Sequence, residues 1–190
     1  MIVCNNKFDY RILQSLRAHG WDREISKKKN TFNFVNQGFN LRPLDISASI
    51  ATSQLKRLKK MIKIRKYNRD IIIKYLKNSP KWDDQFTFFE SSKHLKPSWF
   101  SIPLLINKKY LKYKRIFLKR LEKNKVETRP IISGNFINQP AIKLHKFRFK
   151  KKNFRNSQEI EDRGFFIGLP TKKIKLQDIK RLTNYLLDLQ

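Results

Sequence analysis

The apolar positions of this chain are most regular between Pro43 and Ser79. Leu44, Ala48, Ala51, Leu55, Leu58 and Ile62 recur at alternating spacings of four and three, and the stripe runs on through Ile72 and Leu76. Lys56, Arg57, Lys59, Lys60 and Lys63 occupy the other face. That period predicts one long amphipathic helix. Pro43 suits its first turn and Pro80 stops it, with a break expected near Tyr67 and Asn68. Ala48, Ser49 and Ala51 are small enough to let another element approach closely.

The flanks are shorter and mixed. Ile2-Val3-Cys4 reads as the end of a strand. Asp9, followed by Tyr10, Ile12, Leu13 and Leu16, predicts a helix with Asp9 as its N-cap and Gly20 closing it. Residues 21–39 show no period and read as a loop. Beyond Pro80, Phe86–Phe89 and Trp99–Ile106 read as strands, and the internal Pro103 places the second at an edge or a bulge. Lys108–Asn124 predicts a helix, Val126–Ile132 and Phe165–Gly168 short strands, and Gln177–Leu189 a closing helix with Ile179, Leu182, Leu186 and Leu189 on one face. This order predicts an α+β fold, with a long helix and a small, mainly antiparallel sheet covered by helices. The expected divisions are 1–42, a remnant of a larger domain's end with its connecting loop; 43–79, the linking helix; and 80–190, a small C-terminal domain.

Composition limits the function less than it limits the fold. At 39% hydrophobic with 15 Phe, a chain of 190 residues can bury a real core, so it does not read as disordered. Forty-four Lys and Arg against 15 Asp and Glu give a formal charge of +29, a field that attracts polyanions. The lysines are spread through every segment, however, which reads first as a solvated surface. The single cysteine, Cys4, excludes an internal disulfide and any cysteine-rich metal site. No apolar run approaches the roughly 18 residues of a membrane span, and no signal peptide precedes the first helix. A cytoplasmic protein is the simplest expectation.

Several polar groups stand in places that suit binding. Asn40 and Arg42 follow Gly38 and lead into the long helix. Taken alone, Asn40 reads as a turn residue at positive φ, and Arg42 as a surface charge at a helix start. Arg129 precedes Pro130, whose ring biases it to extended backbone, and Asn135 follows Gly134. His19 sits at the end of the first helix, where a cap is the simpler role. His94 and His145 have no partners nearby in sequence.

Together these stretches resemble the C-terminal part of the DegT/StrS-type sugar aminotransferases, the pyridoxal-phosphate (PLP) family of fold type I that includes sugar 3-dehydratases. Ser15-Leu16-Arg17-Ala18-His19-Gly20-Trp21 resembles the family's R-x-H-G turn. Gly38-Phe39-Asn40-Leu41-Arg42, with Asp45, Ala48, Gln54 and Leu55, resembles its G-Y-N-x-R block. Ser98-Trp99-Phe100 resembles the start of a small-domain strand. Glu127-Thr128-Arg129-Pro130, Gly134-Asn135 and Gln139-Pro140 resemble its E-T-R-P, G-N and Q-P segment, and Gly164–Gly168 fits the C-terminus.

The resemblance implies that Asn40 donates to the PLP phosphate across a homodimer, with Arg42 beside the same site. It also implies that Arg129, Asn135 and His19 face a nucleotide-linked keto-sugar, and that an amino acid serves as amino donor. None of the lysines lies in the family's S-F-x-x-x-K context. The Schiff-base lysine, or the histidine that replaces it in dehydratases, is therefore expected in a missing N-terminal PLP-binding domain, and the chain alone is expected to be inactive.

A rival reading is a single-stranded nucleic-acid module. The segment Lys143–Arg155 interleaves bases with Phe147, Phe149 and Phe154, as a stacking platform does. Its plain alternative is a basic loop whose phenylalanines face the core. Nucleic acid is the less expected partner.

Overall fold

A computed structural model describes residues 2–22, 33–144 and 146–189. Residues 23–32 of the expected loop, and His145, lie outside them. Two compact units divide the chain, residues 1–56 and 57–190. The division falls inside the long helix rather than at its two ends.

In the first unit α1 (Lys7–Arg17) starts one turn earlier than expected. Its N-cap is Asn6, whose side-chain oxygen accepts from the Phe8 N–H at 2.7 Å; Asp9 lies in the first turn, where a carboxylate favours the helix dipole. Ile2–Cys4 is not a strand. Strands need a partner for their backbone groups, and among the described residues none lies beside it. Helix α2 (Asp45–Lys77) follows.

No break occurs at Tyr67–Asn68. Asn68 is fully buried, and its amide latches the segment after the last strand. It donates to Pro170 O at 3.1 Å and Lys172 O at 2.8 Å, and accepts from Ile174 N at 3.2 Å. The side chain that resembled a helix breaker spends its hydrogen bonds on tertiary partners, so the helix runs through. Arg69 is also buried; it donates to Phe89 O at 2.6 Å and lies 4.3 Å above the Trp99 ring.

The second unit is an antiparallel sheet of β1 (Phe86–Phe88), β2 (Ser101–Ile106), β3 (Thr128–Arg129) and β4 (Gly164–Gly168), ordered β1-β2-β4-β3. Helices α3 (Lys114–Lys123), α4 (Arg155–Arg163) and α5 (Leu176–Leu187) accompany it, giving the expected α+β architecture. A 3-10 turn, Lys108–Tyr113, leads into α3.

Strand β2 is central, contrary to the edge position that Pro103 suggested. The register explains the tolerance: Pro103 pairs with Phe166 on one side, while on the other β1 ends at Phe88, opposite Leu104. Pro103 thus lies where the ladder on that side has stopped. Strand β3 is shorter than the expected Val126–Ile132, because Pro130 ends it and Ile132 turns to φ +47°.

The core is built from the inward faces of these elements. Phe86, Phe117 and Phe165 meet with ring centroids 5.9–6.0 Å apart, and Leu76, Ile102, Leu104 and Leu186 close around them. Helix α4 was not legible as a helix in the sequence; none of its residues is fully buried.

Candidate functional site

The first unit fixes the G-F-N-L-R stretch mainly through backbone hydrogen bonds. After α1, His19 and Gly20 take left-handed backbone, with φ +64° and +83°. Gly20 N–H donates back to Ser15 O at 2.7 Å. A Cβ on Gly20 would overlap the Asn36 carbonyl, and one on Gly38 would overlap the Gly20 nitrogen. Two glycines therefore let two backbone segments touch.

Three hydrogen bonds then lie between residues 16–19 and 39–41. Phe39 N–H donates to Leu16 O at 2.7 Å, His19 N–H to Phe39 O at 2.9 Å and Leu41 N–H to Arg17 O at 3.0 Å. Ala18 and Asn40 pair as an antiparallel bridge. The fully buried Ser15 adds a side-chain clasp, its Oγ accepting from Asn36 Nδ2 at 2.6 Å. The R-x-H-G turn and the G-F-N-L-R block, far apart in sequence, are one structural object.

Asn40 is exposed and is not among the positive-φ residues, so its turn role is set aside. Arg42 is also exposed, in the short extended stretch before α2 begins at Asp45. His19 is exposed within the same turn. The unit thus presents an amide and a guanidinium two residues apart on an anchored backbone. Both are donors suited to an anionic oxygen, the guanidinium in a bidentate manner.

Arg129 and Asn135 belong to the second unit and are not brought together there. Arg129 lies on the edge strand β3 and is exposed; its Nε and Nη2 both donate to Glu127 Oε1, at 2.9 and 2.7 Å. Asn135 is only 2% exposed. Its N–H donates to Glu161 Oε2 at 2.8 Å and its Nδ2 to Gln158 Oε1 at 3.0 Å, while its Oδ1 accepts from Ile137 N at 3.4 Å. Those bonds occupy the amide in docking its own loop onto α4. Gly134, at φ +59°, is held so close that a Cβ would come within 2.6 Å of the Glu161 Cβ.

Gln158 and Glu161 are the groups that sequence reasoning missed. Asn138 Nδ2 donates to both, at 2.9 and 3.0 Å. Their only signal was a spacing of three in a polar run. From α3, Lys114 Nζ donates to Asp162 O at 2.6 Å at the end of α4, and burial pulls its pKa below the usual lysine value. Glu159 accepts from Lys108 at 2.8 Å and Arg163 at 2.7 Å, and these two cations draw its pKa down to about 2.

In the basic segment, Phe147 and Phe149 are 58% and 38% exposed, so they do not face the core. Phe149 meets Phe154 edge to face at 5.9 Å. Among the described residues no cluster could hold a metal ion, and no helix is long and apolar enough to cross a membrane.

The arrangement is that of a small C-terminal domain with a long leading helix and an exposed amide–guanidinium pair at that helix's start. Residues 1–186 match the DegT/DnrJ/EryC1/StrS aminotransferase family, and the chain belongs to it. It is 30% identical over 88% of its length to the GDP-4-keto-6-deoxy-D-mannose 3-dehydratase of Escherichia coli O55:H7, covering 45% of that protein. It is 27% identical over 87% of its length to the lipopolysaccharide biosynthesis protein RfbH of Salmonella typhimurium, covering 36% of it. Among solved structures, a GDP-4-keto-6-deoxymannose-3-dehydratase with a trapped PLP-glutamate geminal diamine superposes with a TM-score of 0.84 at 27% identity, over 97% of this chain and 49% of that one. The chain spans less than half the length of these proteins.

The donors at Asn40 and Arg42 fit the phosphate of PLP. The described lysines of the first unit, Lys7 and Lys56, are both exposed, and neither has the desolvated setting that a Schiff-base lysine uses.

Proposed function

We propose that this chain is the C-terminal half of a PLP-dependent nucleotide-sugar 3-dehydratase of surface-polysaccharide synthesis, working as a cytoplasmic homodimer with a cofactor-binding N-terminal domain. The observation that carries the reading is the Asn40–Arg42 pair, both side chains exposed on backbone held to α1 and the turn after it by three hydrogen bonds. Dehydration is preferred to transamination because the similar E. coli protein is a 3-dehydratase.

PLP, when bound, supplies the electron sink for loss of the sugar's 3-hydroxyl, with glutamate as amino donor. In this reading Asn40 donates an amide N–H to the cofactor phosphate across the dimer. Arg42 grips that phosphate or the sugar nucleotide's diphosphate. His19 lines the same mouth as a hydrogen-bonding group. Arg129 exchanges Glu127 for a substrate oxygen, and Asn135 acts on substrate only through the loop it holds.

The test joins this chain to the cofactor-bearing half of the E. coli relative. The chimera is incubated with PLP, glutamate and GDP-4-keto-6-deoxymannose, and the sugar is weighed by mass spectrometry. Loss of the 3-hydroxyl is expected. An aminated sugar that keeps this hydroxyl would replace dehydration with transamination, and an unchanged sugar in a folded, PLP-loaded chimera would overturn the reading.

A further inference from the structure

The family reading leaves the segment before α4 without a task. From Thr128 to Gln158 the chain has no acidic residue, and Lys146, Arg148, Lys150, Lys151 and Lys152 crowd its middle. All five are exposed. Beside and between them are partly or largely exposed apolar side chains: Leu144 is 79% exposed, Phe147 58% and Phe149 38%. Residues 146–150 belong to no helix or strand. Scattered surface lysines account for the charge of the rest of the chain. Here such lysines stand beside exposed apolar groups in a stretch without a carboxylate.

We propose that this segment is a docking surface for an anionic lipid bilayer. Leu144 and Phe147 enter the headgroup boundary, and the flanking ammonium and guanidinium groups meet lipid phosphates. Exposed apolar groups framed by bases are the combination that an anionic membrane interface selects, because burial and charge attraction act together there. Two observations favour lipid over single-stranded nucleic acid. Leu144, the most exposed of these three, has no π-face to stack on a base. Phe149 already spends one side of its ring on Phe154 at 5.9 Å. The inference is independent of the cofactor assignment.

The test is co-sedimentation of the 190-residue chain with vesicles of phosphatidylcholine containing phosphatidylglycerol, against phosphatidylcholine alone, at physiological salt. Binding only to the anionic vesicles is expected. Lys150→Gln/Lys151→Gln/Lys152→Gln and, separately, Leu144→Ser/Phe147→Ser are each expected to weaken it about tenfold or more. Lys59→Gln/Lys60→Gln/Lys63→Gln on α2 removes the same charge and is expected to leave binding within about twofold. Circular dichroism of each variant reports retained folding, and all the substituted lysines and apolar groups are exposed. Equal losses with the two lysine triples would reduce the effect to bulk charge and overturn the proposal. So would absence of binding to anionic vesicles, or a single-stranded oligonucleotide that binds through Phe147 where vesicles do not.

Discussion

Glu161 is the perturbation that most directly tests how the small domain is held. Its Oε2 accepts from the Asn135 N–H at 2.8 Å and from Asn138 Nδ2 at 3.0 Å. Glu161→Ala removes the acceptor of a backbone N–H on a residue only 2% exposed. A buried donor left without a partner costs about 1–3 kcal/mol; the exposed Asn138 amide finds water and adds little. Glu161→Gln retains an acceptor oxygen and loses only the charge assistance, so it should cost about 1 kcal/mol or less. For a unit of this size the alanine variant should melt roughly 3–10 °C lower. The chain carries +29, so losing any carboxylate increases self-repulsion. Glu90→Ala, at an exposed site, makes the same charge change and should stay within about 0.5 kcal/mol of the parent. Urea unfolding followed by circular dichroism gives the stabilities, and amide exchange at 134–138 localises the effect. If Glu161→Ala tracked Glu90→Ala and the Asn135 amide stayed protected, the clamp would be decorative and the explanation of the G-N motif wrong.

Two further outcomes follow from packing and charge. Leu76 is fully buried whereas Leu55 is 64% exposed on the same helix. Leu76→Ala should therefore cost about 2–5 kcal/mol by urea unfolding, and Leu55→Ala should change the isolated chain by about 0.5 kcal/mol or less. Glu159 is held near pKa 2 by Lys108 and Arg163, below its ordinary value of 4.5. Its contribution is thus fully present above about pH 4.5 and lost as pH falls toward 2. The stability gap between the parent and Glu159→Gln should close over that window, and a gap that widened on acidification would contradict the pairing.

Periodicity revealed what burial drives. Ile72 and Leu76 stood out because a helix face must repeat to meet a core, and β2, β4 and α5 were legible for the same reason. Polar docking carries no such period. Helix α4 attaches through Gln158, Glu159 and Glu161, which in sequence read as an unremarkable charged run. The Asn6 cap escaped because Asp9 is an equally good capping residue type, and only backbone geometry decides between them. Pro103 misled because the end of β1 opposite it is a register fact, not a local one. At the candidate site, Asn40 and Arg42 were marked out by motif, and both side chains are exposed. Asn135, marked out in the same way, is used inside its own loop. The N-terminal half of α2 shows the remaining gap: residues 45–60 are exposed throughout, apolar stripe included. A pattern that predicts burial is unmet in this chain, as a half-length member of a larger family would leave it.

If Asn40 serves the cofactor phosphate, PLP affinity depends on its side chain. In the protein completed with a cofactor-binding half, PLP is titrated by absorbance into the parent, Asn40→Ala and Asn40→Asp. Losing a hydrogen bond to a charged partner is worth about 1.5–3 kcal/mol, so alanine should weaken binding roughly ten- to a hundredfold. Aspartate, which sets like charge against the phosphate, should weaken it further. Equal PLP affinity in all three proteins would contradict the account.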